Sequence, residues 1–180
     1  MISELHVNVE CTINSKVIHR SIDYADNIVN DLLCFASTRK AVFMETDIND
    51  LTKETLLQIS IPKNVKIVTE LDEIPKIVGD KQMLKRVFVN ITVNGIQAIE
   101  EKAGTLRVST KKVGECIEVK ITDNGIGIKE EYMEKIYTPF FTTKAQGMGV
   151  GLAICKRFVE INEGTIEVES KEGEGSTFTD

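Results

Sequence analysis

This chain has no paired cysteine spacing, no basic run and no long apolar run, and each absence removes a class of function. The four cysteines, at 11, 34, 116 and 155, suggest neither a zinc site nor a disulfide framework. Reduced thiols in a cytoplasmic setting are the simplest account. Formal charge is −6, the pI is near 5.1, and no Lys/Arg cluster rises above its acidic neighbours. Nucleic acid and anionic membranes are therefore not expected as partners. No stretch approaches the ~18 apolar residues that would cross a bilayer, and the start lacks a signal-peptide pattern. The final Thr177-Phe178-Thr179-Asp180 reads as a strand stopped in mid-course, so an excerpt of a larger parent, with room for membrane segments elsewhere in it, is expected.

What is present is enough for one sizeable core: 180 residues, 42% of them hydrophobic. From Ser15 to Ala36 the residues Ile18, Ile22, Ala25, Val29, Leu32 and Ala36 recur at steps of four and three, the seam of a coiled-coil or bundle helix. Such a helix cannot bury its stripe alone, and a homodimer is expected through it. The polar break at Ser37 to Lys40 divides the chain into an N-terminal segment, 1–38, and a domain, 39–180. In the latter the pattern predicts a strand near Val42 to Thr46, a helix from Asn49 to Ile59, a strand at Val65 to Leu71 and a long helix from Lys81 to Glu101. Strands at Thr105 to Lys112 and Cys116 to Thr122 follow, joined by a hairpin at Gly114. A short helix at 130–136, an irregular stretch, a helix from Gly151 to Asn162 and strands at 165–170 and 175–179 complete the list. Mixed elements without strict alternation predict an α+β two-layer sandwich.

Within that frame, the stretch Asp123-Asn124-Gly125-Ile126-Gly127-Ile128 stands out. Ile117, Val119 and Ile121 share one face of the preceding strand, and Asp123 continues the odd series. A carboxylate on the core side needs a donor brought to it. The glycines permit a sharp turn and close approach of a flat ligand, so the loop reads as a purine floor with Asp123 accepting from an exocyclic amine. Asp-Asn-Gly is also an ordinary turn signal, whereas a calcium loop would need glycine where Ile128 stands.

Asn90 and Asn94 lie four apart on one helix face in an otherwise apolar run, where their amide oxygens suit magnesium and where pairing with nearby backbone is the alternative. Gly95, inside the same helix, implies close approach by some other group. The second glycine cluster, Gly147-Met148-Gly149-Val150-Gly151, runs into Leu152-Ala153-Ile154, and glycines opening a helix suit a polyphosphate. Its spacing is not a dinucleotide fingerprint, and no Gly-Lys-Ser/Thr loop occurs. Between the clusters, Tyr137-Thr138-Pro139-Phe140-Phe141-Thr142-Thr143-Lys144 offers two anchoring aromatics and a lysine for phosphate, the features of a hinged lid, with a packed surface loop as the alternative.

These stretches in this order resemble the ATP-binding catalytic domain of sensor histidine kinases, in the superfamily that includes gyrase, the Hsp90 chaperones and MutL. The resemblance implies a Bergerat-type sandwich over 39–180, with the second helix of a dimerisation and histidine-phosphotransfer hairpin at about 15–36. It implies an asparagine box at Asn90 and Asn94, a first glycine box at Asp123, Gly125, Ile126 and Gly127, and aromatics at Phe140 and Phe141. The second glycine box would be Gly147, Gly149, Val150, Gly151 and Leu152, and Ser176 would support Asp123 beside the adenine. Implied roles are adenine selection by Asp123, magnesium binding by Asn94 with Asn90 possible, and phosphate neutralisation by Lys144. Implied ligands are ATP and Mg2+, and the implied partner is a response regulator. Asn90 stands where hydrolytic relatives carry a glutamate; an amide is no general base, which favours transfer to a protein over hydrolysis. Neither His6 nor His19 is followed by the family's acid, base and proline, so the acceptor histidine is expected elsewhere. A serine kinase of the anti-sigma-factor type and a nucleotide-binding interaction module are the alternatives.

Overall fold

The odd-numbered alternation of residues 117–123 places the sheet. The computed structural model describes residues 29, 33, 40–144 and 147–180. Of the helix expected at 15–36 only Val29 and Leu33 are described, both helical and exposed; the rest of it, with His6 and His19, lies outside the described residues. In chain order the elements are β1 (Met44–Thr46), α1 (Ile48–Gln58), β2 (Val65–Leu71), β3 (Ile77–Gly79), α2 (Lys81–Ile99), β4 (Gly104–Val113) and β5 (Cys116–Asp123). Then come α3 (Glu130–Met133), α4 (Gly151–Ile161), β6 (Glu167–Lys171) and β7 (Gly175–Thr179).

The five main strands lie in the order β2-β4-β5-β7-β6, with β2 parallel to β4 and every other pair antiparallel. One face of the sheet carries the helices, which makes the two-layer sandwich that the mixed element order implied. Leu106 and Val108 of β4, with Val119 and Ile121 of β5, meet Val87, Phe88 and Ile91 of α2. Each such apolar side chain contributes roughly 1.5–3 kcal/mol when fully buried. Ile154 and Phe158 bring α4 into the same core.

Asp80 fixes where α2 begins. Its Oδ1 accepts from the backbone N–H groups of Gln82 and Met83, both at 3.0 Å, and its Oδ2 from Val42 N at 2.8 Å. Its own N–H donates to Asn162 Oδ1 at 2.7 Å, at the far end of α4. One aspartate therefore caps the helix and joins three segments. Strand β3, which pairs with β1 from Met44↔Gly79 to Thr46↔Ile77, was not expected from the sequence: three residues between Pro75 and the cap are too few to show a period.

Strand β7 lies between β5 and β6, and its last pairing extends to Asp180, which exchanges two backbone hydrogen bonds of 2.9 Å with Val119. The Asp180 carboxyl is enclosed, its Oδ1 finds no hydrogen-bond partner among the described residues, and burial raises its pKa to about 7. A carboxyl held neutral in the fold favours folding at low pH, and that advantage is lost as pH rises from the ordinary value of 3.8 through about 7. Asp180→Asn is thus expected to raise the melting temperature at pH 8 and leave it unchanged at pH 4. At about 1.4 kcal/mol per pKa unit the gain at pH 8 is at most about 4 kcal/mol; a thermal melt series across pH checks it.

Candidate functional site

The site is built where β5 ends under α2. Asp123 is 5% exposed and faces the helix layer, as the alternation requires. Its Oδ1 accepts from Gly125 N at 2.9 Å. Burial raises its pKa, while backbone hydrogen bonds from Gly125 and Ser176 and the charge of Lys144 act against that rise. Gly95 lets α2 come this close: a Cβ there would lie 2.5 Å from Leu106 Cδ1 and 3.4 Å from Asp123 Cβ. The group whose approach that glycine implied is the floor of the site itself.

The first glycine loop differs from the sequence reading in its physical reason. A Cβ on Gly125 would lie 2.4 Å from the Ala98 carbonyl, and one on Gly127, where φ is +66°, 2.1 Å from the Lys171 carbonyl. The glycines therefore admit protein backbone on that side, where a ligand was expected. Ile126 sits between them with its side chain half exposed, its N–H donating to Ala98 O and its carbonyl accepting from Gly173 N. Ser176 is opposite Asp123 in the β5–β7 register. Its backbone N–H serves the carboxylate, and its hydroxyl lies 2.9 Å from Ser170 Oγ. Because Ser170 donates its only hydroxyl proton to Gly175 O and accepts from Ile128 N at 2.8 Å, Ser176 is the donor of that pair. Sequence reasoning missed Ser170; its place on β6, 42 residues beyond the loop it holds, leaves no local signal.

Asn90 and Asn94 are half-buried on the face of α2 that looks toward the second glycine cluster. Asn90 Nδ2 makes a long 3.4 Å hydrogen bond to Gly151 O. Asn94 Oδ1 instead accepts from Lys144 Nζ at 2.8 Å, and Gln97 Oε1 accepts from the same ammonium at 2.6 Å. The amide oxygen thus already holds a cation, a donor set suited to magnesium. Enclosure of the ammonium lowers the Lys144 pKa, and the Asp123 charge raises it. Gln97 was also not singled out from the sequence, although its position three residues past Asn94 puts it on the same face.

The second cluster divides its labour. Gly149, at φ +68°, abuts the Phe141 carbonyl, which a Cβ would meet at 2.3 Å; a Cβ on Gly147 would meet no atom of the described residues within 4 Å. Gly151 opens α4 beside Asn90, and Val150 before it provides no side-chain cap. Among the described residues no side-chain cap takes the first N–H groups of α4, which suits them to an anion. Val150 is fully buried, so it can offer only backbone to a ligand, whereas Leu152 is partly buried against the core. The two aromatics also separate. Phe141 packs on Tyr132 with ring centroids 5.5 Å apart, whereas Phe140, at φ +68°, turns outward and is 61% exposed. The Phe141 ring anchors the segment against α3.

A buried acceptor, a cation-holding amide and an uncapped helix therefore converge around the β5 end. Residues 79–179 match the family described as histidine kinase-, DNA gyrase B-, and HSP90-like ATPase. The chain belongs to that family. It is an ATP-binding catalytic domain of the sensor histidine kinase type. Among similar proteins are the signal transduction histidine-protein kinase AtoS of Escherichia coli K12, 36% identical over 91% of this chain and 28% of its own length, and sporulation kinase C of Bacillus subtilis 168, 34% identical over 90% and 39%. The chain thus spans about a third of the curated relatives it matches. The nucleotide-free catalytic domain of the histidine kinase ThkA is 34% identical and superposes with a TM-score of 0.68 over 77% of this chain and 93% of that one. ThkA in complex with the response regulator TrrA aligns over 91% of this histidine kinase domain and 48% of the ThkA chain, at 28% identity and TM-score 0.74. Among the described residues, no helix is long and apolar enough to cross a membrane.

Proposed function

We propose that this domain binds ATP with magnesium and transfers the γ-phosphoryl group to a histidine of a phosphotransfer hairpin other than His6 or His19, from which a response regulator would take it. The observation that carries this is Asp123, a buried carboxylate held by Gly125 and Ser176 at the mouth of the site. Its ionised oxygens accept from an adenine amine and repel the carbonyl that guanine would put there. Asn94 would hold the metal, with Asn90 within reach of the same face. Magnesium would neutralise charge on the phosphate oxygens. Lys144 and the free N–H groups of α4 would hold those oxygens in place while the imidazole nitrogen attacks phosphorus and the bond to ADP breaks. Asn90, an amide, cannot take a proton from water. A homodimer formed through the 15–36 helix would set the acceptor beside this site.

The test supplies an acceptor hairpin with its histidine as a separate protein, together with labelled ATP. Acid-labile label on the hairpin is expected. Acid-stable label would point to a serine kinase, and ATP binding without transfer to any hairpin would leave an interaction module.

A further inference from the structure

Lys144 is 50 residues from Asn94 in sequence, yet its ammonium lies inside the cradle, on the two amide oxygens of Asn94 and Gln97. Both acceptors are a turn apart on α2. Asp123, across the site, faces the ammonium with opposite charge. Gln97 itself is exposed and belongs to none of the groups expected to touch nucleotide or metal.

We propose that Gln97 is a positioning residue that parks Lys144 on the asparagine amide, so that metal and phosphate must displace the lysine before they bind. This inference rests on the nucleotide-binding reading above. Its physical content is a competition. A cation already held by Asn94 Oδ1 excludes a second cation from that oxygen by repulsion and by occupancy. A lysine held by two amide oxygens is also not available to phosphate. Apparent affinity is therefore reduced by the fraction of molecules in which the lysine is parked. Weakening the parked state raises nucleotide affinity, whereas weakening a contact made in the bound state lowers it, so the two roles give opposite signs.

The experiment is calorimetric titration of the whole chain with Mg-ADP. Gln97→Met keeps the length of the side chain and removes the acceptor; Gln97→Glu adds charge to it. Gln97→Met is expected to tighten binding about three- to tenfold, the worth of one exposed charge-assisted hydrogen bond. Gln97→Glu is expected to weaken it, and in a Lys144→Met background the Gln97→Met effect should vanish. Hydrogen exchange of the Lys144 amide in the nucleotide-free chain should quicken in Gln97→Met. Unchanged or weaker binding by Gln97→Met, or an effect that persists without Lys144, would overturn the proposal while leaving the nucleotide site standing. Absence of binding by the wild-type chain would instead defeat the reading on which the proposal rests.

Discussion

Asp123→Asn is expected to weaken Mg-ATP binding by about 30- to 100-fold, about 2–3 kcal/mol, while the fold survives. The carboxylate has two acceptor oxygens; one takes the Gly125 N–H, and the Ser176 N–H also points at the group. Asparagine has one acceptor oxygen and a donor. If the oxygen satisfies the backbone, the NH2 group faces the adenine amine, donor against donor. If the oxygen faces the adenine, two buried N–H groups lose their partner. Either orientation forfeits a hydrogen bond to a charged acceptor. Stability should change little, because burial already disfavours the ionised carboxylate, and a neutral side chain escapes that cost. Because burial raises the Asp123 pKa, acidification should weaken adenine binding at a higher pH than an ordinary aspartate would allow, since protonation turns one acceptor oxygen into a donor. Titration calorimetry with a thermal melt of each protein checks both halves.

Gly175→Ala carries the largest expected loss of stability, on the order of 4 kcal/mol or more, enough to unfold a domain of ordinary stability. At φ +111° the residue occupies a region that L side chains rarely adopt, and a Cβ there would lie 2.0 Å from the Asp123 carbonyl oxygen and 2.8 Å from Asn124 Cα. Both are backbone atoms at the junction of β5 and the glycine loop, so nothing can rotate away. Gly173 separates strain from clash. Its φ is +81°, but a Cβ would meet nothing within 4 Å. Gly173→Ala should therefore cost only the left-handed penalty of about 1–2 kcal/mol. Chemical denaturation of both variants gives the comparison; equal costs would mean that the contact with the loop is not what Gly175 provides.

Local periodicity accounts for what could be read in advance. The odd-numbered alternation of β5 alone puts Asp123 on the buried face, and the three-four spacing along α2 puts Asn90 and Asn94 together. Strand β2 spans Val65–Leu71 as expected because a seven-residue strand shows its own pattern. Strand β3 was illegible because three residues have none. The reasons for the glycines were illegible for another cause. Gly125 is small because Ala98 backbone comes against it, and Gly149 because Phe141 does, and such contacts depend on how distant segments pack. The same holds for Lys144, which the sequence marks as a phosphate ligand and whose ammonium lies on Asn94 and Gln97.

The measurement that bears most directly on this account is calorimetric titration of the wild-type chain with Mg-ATP and, separately, Mg-GTP. A single site per chain that takes ATP and discriminates against GTP is the predicted result. It would tie the buried carboxylate, the amide pair and the open end of α4 to one nucleotide. Equal binding of the two nucleotides would contradict adenine selection by Asp123. No binding by a well-folded chain would contradict the site as a whole.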